Sequence, residues 1–429
     1  MSHYALVAPP YPSHFEVMQT LAGELIERGH RVSFLHQPDA QRWLRDRRIG
    51  FHAIGHADHP AGSLDHALRL AANPSGPWHM RRMIRQLAGT SRMLCRELPG
   101  ALAAQQVDAV LCDQMEPAGA LAAEALGLPC VSLACALPIN REAGLPLPVM
   151  PFGYGRDPRS QRLFEASTRV HDWFMRPMAE VIDDTCRRHG LPRRNGPQDC
   201  LSSLAQISQT LAAFDFPRQA LPGHFHAVGP LRKPPEQAEG HWPLDVRKPL
   251  VFASLGTLQG HRFSLFVRIA KACRLLDVQL LVAHCGGLDL PQQARLLQLG
   301  ASVVTDFAPQ QWAVQRADAV ICHGGLNTVM DALAAKTPLL VLPIAFDQPG
   351  VAARVAYHQL GLALSRHASV SRIAGALARL LAEPMPGLAR LEPALQGLDD
   401  SVRKAASIIE TAVHTGRPVP AQDAAWPMT

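Results

Sequence analysis

The chain has 429 residues, 47% hydrophobic and 18% charged, with a formal net charge of +6 and a pI near 9.0. That length is more than one core comfortably supports, so two soluble globular domains are expected. The mild positive balance suits anionic small molecules or acidic lipid surfaces. The chain holds no dense Lys/Arg tract with interleaved aromatics, which excludes nucleic acid as a partner. It also holds no apolar run of the ~18 residues that span a bilayer.

Tyr4 to Ala8 follow the start directly, with no basic n-region or cleavage site, so no signal peptide is read there. The nine cysteines are scattered, form no CxxC pair and lie mostly in apolar runs (Cys112, Cys130, Cys322). They read as reduced core residues of a cytoplasmic protein.

Residues 3 to 8 read as a buried strand. Pro9, Pro10 and Pro12 forbid its continuation and predict a stiff loop ending at Ser13-His14. Phe15 to Arg28 is helical, with Val17, Leu21, Leu25 and Ile26 on one face, and Gly29 is the expected stop. Val32 to Leu35 completes a parallel β-α-β unit. The first loop carries no GxGxxG, which argues against a dinucleotide site.

Residues 52 to 80 show little periodicity. Arg81 to Leu98 reads as an amphipathic helix with Met83, Leu87, Leu94 and Leu98 inward and arginines outward. Residues 138 to 160 are rich in Pro and Gly, and such insertions in an α/β frame commonly bind substrate. Residues 161 to 190 are helical, and 206 to 233 alternate short apolar runs with prolines.

The polar, proline-bearing stretch from Lys233 to Pro243 is the expected boundary. It divides the chain into an N-terminal Rossmann-like domain (1–232), a linker (233–249), a C-terminal Rossmann-like domain (250–415) and a loose or draped tail (416–429). The second domain opens with the strand Leu250 to Ser254 and the turn Leu255-Gly256-Thr257. A helix around Lys271 and strands at Gln279 to His284 and Ser302 to Thr305 follow. Residues 108–112 (D-A-V-L-C) and 318–322 (D-A-V-I-C) echo each other, each followed by an Ala/Leu-rich helical pattern and a further strand. Two doubly wound sheets are inferred, with ligands bound outside the carboxyl ends of their strands. That places Asp113 and His323, the residues just after the two echoing strands, in one cleft.

The densest signal lies between 307 and 348. Ala319 to Cys322 is a strand that stops at His323-Gly324-Gly325, and a helix begins near Thr328. A helix N-terminus beside glycines offers free N–H groups and partial positive charge to a phosphate. Asn327 and Thr328 add side-chain donors, and Asp347-Gln348 supply a carboxylate and an amide suited to sugar hydroxyls. Gly-Gly after a strand signals only a tight turn by itself.

The whole order is more specific. Phe307-Ala308-Pro309-Gln310, then His323-Gly324-Gly325-Leu326-Asn327-Thr328, then Asp331, Pro338, Pro343 and Asp347-Gln348 resembles the donor-sugar signature of UDP-dependent glycosyltransferases. The resemblance implies a GT-B fold: an α/β protein of two facing Rossmann-like domains, with the acceptor in the first and the nucleotide in the second. It implies that His323, Asn327 and Thr328 hold the diphosphate, Asp331 the ribose, and Asp347 and Gln348 the sugar. Asp331 stands where the family usually has Glu, one methylene longer, and Leu326 where plant members have Trp. Ser254, Gly256 and Thr257 are further candidates for the diphosphate, and Phe307, Gln310 and Gly325 complete the donor set. No Asp-x-Asp occurs, so a metal–diphosphate clamp is not indicated and no cofactor beyond the co-substrate UDP-glucose is expected.

Transfer to an alcohol also needs a base. His14 stands at the carboxyl end of the first strand, and a histidine with a free pKa near ~6.5 accepts a proton at neutral pH. Such a base contributes ~10²–10⁴-fold. In the family the base histidine follows the first strand, usually as Gly-His, and its Asp partner ends a D-x-V-x-x-D strand. Here these become Ser13-His14 and Asp108 to Asp113.

The opening from His3 to Phe15, the turn Glu27-Arg28-Gly29-His30-Arg31 and the segment Asp306 to Trp312 resemble one bacterial branch, the zeaxanthin glucosyltransferases. That branch implies glucose transfer to the two ring hydroxyls of zeaxanthin, with inversion and through a monoglucoside. The loop 137–154 and the Met-bearing helix 83–98 are the expected apolar trough. Arg81, Arg82, Arg85 and Arg92 are the expected contacts to a membrane surface, giving a cytoplasmic protein peripheral to the inner face of the cell membrane. The alternatives are a transferase for another hydrophobic aglycone (macrolide, sterol or other terpenoid), a UDP-sugar epimerase, or an inactive glycosyltransferase-like partner.

Overall fold

The computed structural model describes residues 1–73, 76–232 and 242–421. The N-terminal half runs β1 (His3–Val7), α1 (Pro12–Glu27), β2 (Arg31–His36), β3 (Gly50–Ala53), α2 (Ser63–Ala72), α3 (Gly76–Ala104), β4 (Ala109–Asp113), α4 (Pro117–Ala125), β5 (Cys130–Ala134), α5 (Pro158–His189), β6 (Gln206–Ser208) and β7 (Phe225–Ala227). The rest runs β8 (Leu250–Ser254), α6 (Gly256–Gln259), α7 (Phe263–Leu275), β9 (Gln279–Ala283), α8 (Leu290–Leu299), β10 (Val303–Thr305), α9 (Gln310–Arg316), β11 (Ala319–Cys322), α10 (Leu326–Ala334), β12 (Leu339–Val341), α11 (Gln348–Tyr357), β13 (Gly361–Ala363), α12 (Val370–Ala382), α13 (Pro386–Leu391) and α14 (Ser401–Thr415).

The strands form two sheets, ordered β3-β2-β1-β4-β5-β6-β7 and β10-β9-β8-β11-β12-β13. Every pairing is parallel, with Leu6 opposite Phe34 and Leu111 in the first sheet and Val320 opposite Phe252 and Leu339 in the second. Helices cover both faces, so the central strands are apolar throughout rather than alternating. Successive residues still serve opposite cores: Tyr4 and Leu6 pack on one side of the first sheet, Ala5 and Val7 on the other. This is the expected GT-B arrangement of two doubly wound domains.

The echo between residues 108–112 and 318–322 is architectural. β4 lies beside β1, and β11 lies beside β8. The Asp108 carboxylate accepts from the His3 N–H at 2.7 Å, and the Asp318 carboxylate accepts from the Leu250 N–H at 2.8 Å. In each sheet the order of the strands reverses at this pair, which opens a crevice at the strands' carboxyl ends.

Three expectations are corrected. Ser13 and His14 lie in the first turn of α1, not on a loop, because Pro12 takes a first-turn position where its missing N–H is no loss. The stretch from 52 to 80 is not featureless, for it holds the end of β3, all of α2 and the start of α3. The C-terminal unit does not run whole to residue 415. Ala405, Ala406, Ile409 and Ala412 of α14 bury against Tyr4, Leu21 and Leu25 of the N-terminal core, and Glu410 meets Arg28 at 2.7 Å and His30 at 2.9 Å. Of the two readings of the tail, loose or draped, its beginning is draped: Val419 donates to the Leu204 carbonyl and Ala421 to the Gly223 carbonyl, at 2.8 and 2.7 Å. The boundary expected at 233–243 lies largely outside the described residues, which resume at Trp242.

The two halves are tied beneath the cleft. Asp215 of the N-terminal half is fully buried between Arg354 of α11, whose Nε donates at 2.7 Å, and Arg218, whose Nε donates at 3.0 Å. Arg354 also lies over the Phe216 ring at 4.2 Å.

Candidate active site

A cavity of about 490 Å³ opens between the carboxyl ends of the two sheets and is lined from both halves. Of the residues singled out from sequence, His14, Ser254, Gly256, Thr257, Phe307, Gln310, His323, Gly325, Asn327, Thr328, Asp347 and Gln348 line it; Asp113 and Asp331 do not.

Asp113 stands directly behind His14. β4 carries it to the crevice, where it is fully buried, and its Oδ2 lies 2.7 Å from His14 Nδ1. Its Oδ1 accepts from the Met115 N–H at 2.8 Å, so both oxygens are fixed. With Nδ1 engaged, Nε2 is the ring nitrogen left for the cavity. Burial alone lowers the His14 pKa, but the Asp113 carboxylate, aided by Asp347, outweighs it and holds the imidazole above its ordinary value. The Cys135 thiol comes within 4.8 Å of the pair. Burial holds that thiol well above its ordinary pKa, so it stays protonated, and the His–Asp hydrogen bond occupies the facing atoms. The group is a hydrogen-bonded dyad beside a neutral thiol.

Across the cavity, β11 ends at Cys322 and α10 starts at Leu326. The turn between them needs glycine: Gly324 has φ +89, and a Cβ on either Gly256 or Gly325 would sit 2.6 Å from the His323 ring. The imidazole occupies the space these two glycines leave. Burial pushes its pKa down to about 4, so it is neutral at pH 7, and it hydrogen-bonds the Ser254 backbone. Its Nδ1 has no partner among the described residues. The first intrahelical bond of α10 runs from the Val329 N–H to the Gly325 carbonyl. The N–H groups of Leu326, Asn327 and Thr328 are therefore outside the helical ladder, as at any helix start.

Asp347 and Gln348 begin α11. The Asp347 carboxylate accepts from the Leu137 N–H of the N-terminal half at 3.1 Å, and burial raises its pKa. The Gln348 carboxamide oxygen accepts from Ile344 and Ala345 N–H groups at 2.9 and 2.8 Å, leaving its NH₂ available to the cavity.

Asp331 is withdrawn from the cavity. Arg232 Nη2 donates to its Oδ2 at 3.0 Å and Gln310 Nε2 donates to the same oxygen at 2.6 Å, while Gln310 accepts from the Thr328 hydroxyl at 3.2 Å. Arg232 reaches on to Glu16 at 2.9 Å. Arg232, Glu16 and Gln209, whose amide donates to Asn327 Oδ1 at 2.9 Å, were not picked out from sequence. An isolated Arg, Glu or Gln carries no motif, and each acquires its position only when the two halves meet.

The remaining wall is mostly apolar, with polar side chains such as Arg45, Arg141 and His171 among its lining. Leu137, Ile139, Leu147, Pro148 and Val149 come from the expected loop. The Met-bearing helix is corrected in detail: α3 offers Gln86, Leu87, Thr90 and Ser91, while Met83 and Met93 turn into the protein. The methionines at the cavity are Met115, Met175 and Met178. The inward stripe of α3 packs on its neighbours, so only its flank meets the cavity. Near that flank, burial raises the Glu116 carboxyl to about 7, and Ser91 donates to it at 3.0 Å.

The arrangement sets a histidine with a buried carboxylate partner between an apolar trough and a helix N-terminus suited to an anion. Residues 254–402 match the Glycosyltransferase family 28 C-terminal domain. The chain is 48% identical over 423 residues to a zeaxanthin glucosyltransferase of Pantoea ananas, covering 98% of both chains. It is 46% identical to a zeaxanthin glucosyltransferase of Pseudescherichia vulneris, covering 96% of this chain and 98% of that one. In fold it is similar to the crystal structure of the glycotransferase of kitacinnamycin, with a TM-score of 0.75, 18% identity, and 96% and 99% of the two chains covered.

Proposed function

The chain belongs to the zeaxanthin glucosyltransferase family and is a glycosyltransferase, and from that premise we propose that it moves glucose from UDP-glucose to the hydroxyl groups of zeaxanthin with inversion. The observation that carries the reading is the placement of the His14–Asp113 pair and the α10 N-terminus on opposite sides of one apolar-walled cavity.

His14 Nε2 takes the proton of the acceptor hydroxyl as its oxygen attacks the anomeric carbon. The Asp113 carboxylate holds the ring orientation and stabilises the imidazolium that forms. The displaced oxygen belongs to the diphosphate, whose charge meets the Leu326, Asn327 and Thr328 N–H groups, the Asn327 and Thr328 side chains, and the hydroxyls of Ser254 and Thr257. His323, neutral when the site is empty, gains a reason to protonate once a dianion lies beside it. Phe307, 62% exposed at the rim, offers a flat face to the uracil. Asp347 and the Gln348 NH₂ face the glucose hydroxyls. One in-line displacement turns an α-linked donor into a β-linked product. A diol acceptor that leaves and returns by its other end gives first the mono- and then the diglucoside. The reaction as written calls on no metal, since protein dipoles meet the leaving-group charge and the sequence has no Asp-x-Asp.

The acceptor's hydrocarbon length matches a trough walled by leucine, proline and methionine. Such an acceptor resides in a bilayer, so the enzyme works as a cytoplasmic protein in peripheral contact with the inner face of the membrane. No helix among the described residues is long and apolar enough to cross one.

The test is a product assay with purified protein, UDP-glucose and zeaxanthin in detergent micelles, without added metal. The expected result is a mass gain of one and then two hexosyl units, abolished in His14→Ala. UDP release without carotenoid product would retain the donor half and discard the acceptor. Neither product nor UDP release from folded protein would overturn the reading in favour of an inactive partner.

A further inference from the structure

α5 begins under Asp157, whose carboxylate accepts from the Arg159 and Ser160 N–H groups, and runs 32 residues along the N-terminal half. One side is core, through Met178, Val181, Ile182 and Cys186. The first five turns carry a second apolar stripe that faces solvent. Leu163 and Val170 are 45% and 55% exposed, and Trp173 is 51% exposed. Leu163 and Val170 are seven residues apart, and Trp173 is three further on, so all three share one face. Arg162, Arg169 and Arg176 repeat at the same interval of seven and border that stripe.

α3 extends the surface. Trp78 in its first turn is 84% exposed. Arg81 follows at i+3, and its guanidinium lies over the Trp173 ring at 5.1 Å, which joins the two helices into one patch. Arg82 and Arg85 are exposed on the same part of α3. Arg81, Arg82, Arg85, Arg162 and Arg169 make no ion pair among the described residues. The nearby acids are largely engaged: Asp157 caps α5, Asp172 pairs with Arg141, and Glu180 lies 3.7 Å from Arg176; Glu165 alone remains as an exposed opposing charge.

We infer that this tryptophan- and arginine-bearing face of α3 and α5 is a docking surface for an anionic lipid bilayer. An exposed apolar stripe bordered by arginines matches a headgroup layer, where indole and aliphatic side chains enter the interface and guanidinium groups meet lipid phosphates. The inference rests on the proposed carotenoid acceptor, and it gives that acceptor a route. The patch is continuous with the cavity wall: Leu87 of α3 and His171 and Met175 of α5, within a turn or two of Arg85, Val170 and Trp173, line the cavity. Met175 and Leu87 also pack with Met83 and Ile84 between the two surfaces. Docking by this face would bring the trough to the bilayer with the donor side turned to the aqueous phase.

The test is co-flotation of the full-length protein with vesicles of phosphatidylcholine alone and of phosphatidylcholine with phosphatidylglycerol. Binding to the anionic vesicles is expected, falling with salt, with little binding to the neutral ones. Trp78→Ala/Trp173→Ala and Arg162→Glu/Arg169→Glu should each lower it by about tenfold or more. Both variants should keep UDP binding and glucosylation in micelles while losing glucosylation of vesicle-borne zeaxanthin. Three results would overturn the inference: no flotation of the wild type with anionic vesicles, flotation unchanged in both variants, or a change of self-association in the variants, seen by sedimentation, in place of a change in lipid binding. Failure of the acceptor assignment shows itself separately, as wild-type protein that makes no product in micelles.

Discussion

Arg232 holds the Asp331 carboxylate with two nitrogens, Nε at 3.3 Å and Nη2 at 3.0 Å, and it is Arg232, not Asp331, that borders the cavity. Asp331 has one methylene fewer than the glutamate usual at its position, and here it anchors groups that reach further. We propose that the ribose, expected at Asp331, meets Arg232 and Gln310 instead, with Asp331 behind them. A hydrogen bond to a charged group is worth about 1.5–3 kcal/mol, so Arg232→Met should weaken UDP binding by about tenfold or more. The preference for UDP over its 2′-deoxy analogue should shrink in the same variant. That ratio, measured by calorimetry, is insensitive to any general loss of stability. A preference that survives in Arg232→Met but vanishes in Asp331→Asn would assign the ribose directly to the carboxylate.

The pH dependence of kcat/KM should report His14. The base form is the neutral imidazole, so activity rises with pH through the His14 pKa, which lies above the ordinary imidazole value. Burial lowers that pKa and Asp113 raises it. In Asp113→Asn the burial effect loses its main opponent, so the acidic limb should move to lower pH even as the plateau falls. His14→Ala should remove about 10²–10⁴-fold of rate and the limb with it. A limb that stays in place in Asp113→Asn would show that another group titrates.

What the sequence made legible follows physical range. The two doubly wound sheets were readable because buried parallel strands must be apolar throughout, and because Asp108 and Asp318 cap the neighbouring strand identically in each half. The strand-turn-helix at 319–328 was readable because its glycines are required, Gly324 by its positive φ and Gly325 by the His323 ring. The position of His14 on a helix was missed, since a proline-rich run reads as a loop until Pro12 is recognised as a helix start. Arg232 and the return of α14 to the first domain were missed because both depend on how the halves meet, which leaves no local pattern. The stripe on α5 has a local pattern, but its solvent exposure appears only once the opposite face is packed.

UDP binding should be accompanied by proton uptake below neutral pH. His323 sits at about 4 in the empty site because burial penalises its charged form. A diphosphate placed against the α10 N-terminus adds negative charge beside the ring and favours the imidazolium, which raises the pKa. Between the two values the complex binds more protons than its separated parts, so UDP affinity should rise as pH falls from about 7 toward about 5. Calorimetry in buffers of different ionisation enthalpy measures the uptake directly. His323→Gln should bind UDP without it, and uptake unchanged in that variant would place the proton elsewhere.

The Asp215–Arg354 pair should set both the attachment of the two halves and their acid stability. Burial raises the Asp215 pKa, but Arg354 and Arg218 outweigh it and hold the carboxyl at about 2. Because this folded value lies below the unfolded carboxylate value of about 3.9, the stability it contributes is full above that value. It is lost as pH falls from about 4 toward about 2. Arg354→Met should cost about 3–5 kcal/mol, since it leaves a buried carboxylate short of a partner. The double variant Asp215→Asn/Arg354→Met should recover part of that loss, because no unpaired charge remains. Denaturant unfolding at neutral pH measures both, and repeating it in acid should show the wild type converging on Asp215→Asn. Equal stability of Arg354→Met and the wild type at neutral pH would mean that Arg218 alone satisfies Asp215. The tie between α11 and the first domain would then rest on the edge-on contact of the Tyr357 and Phe216 rings at 5.3 Å and the His358 contact to the Asp215 carbonyl.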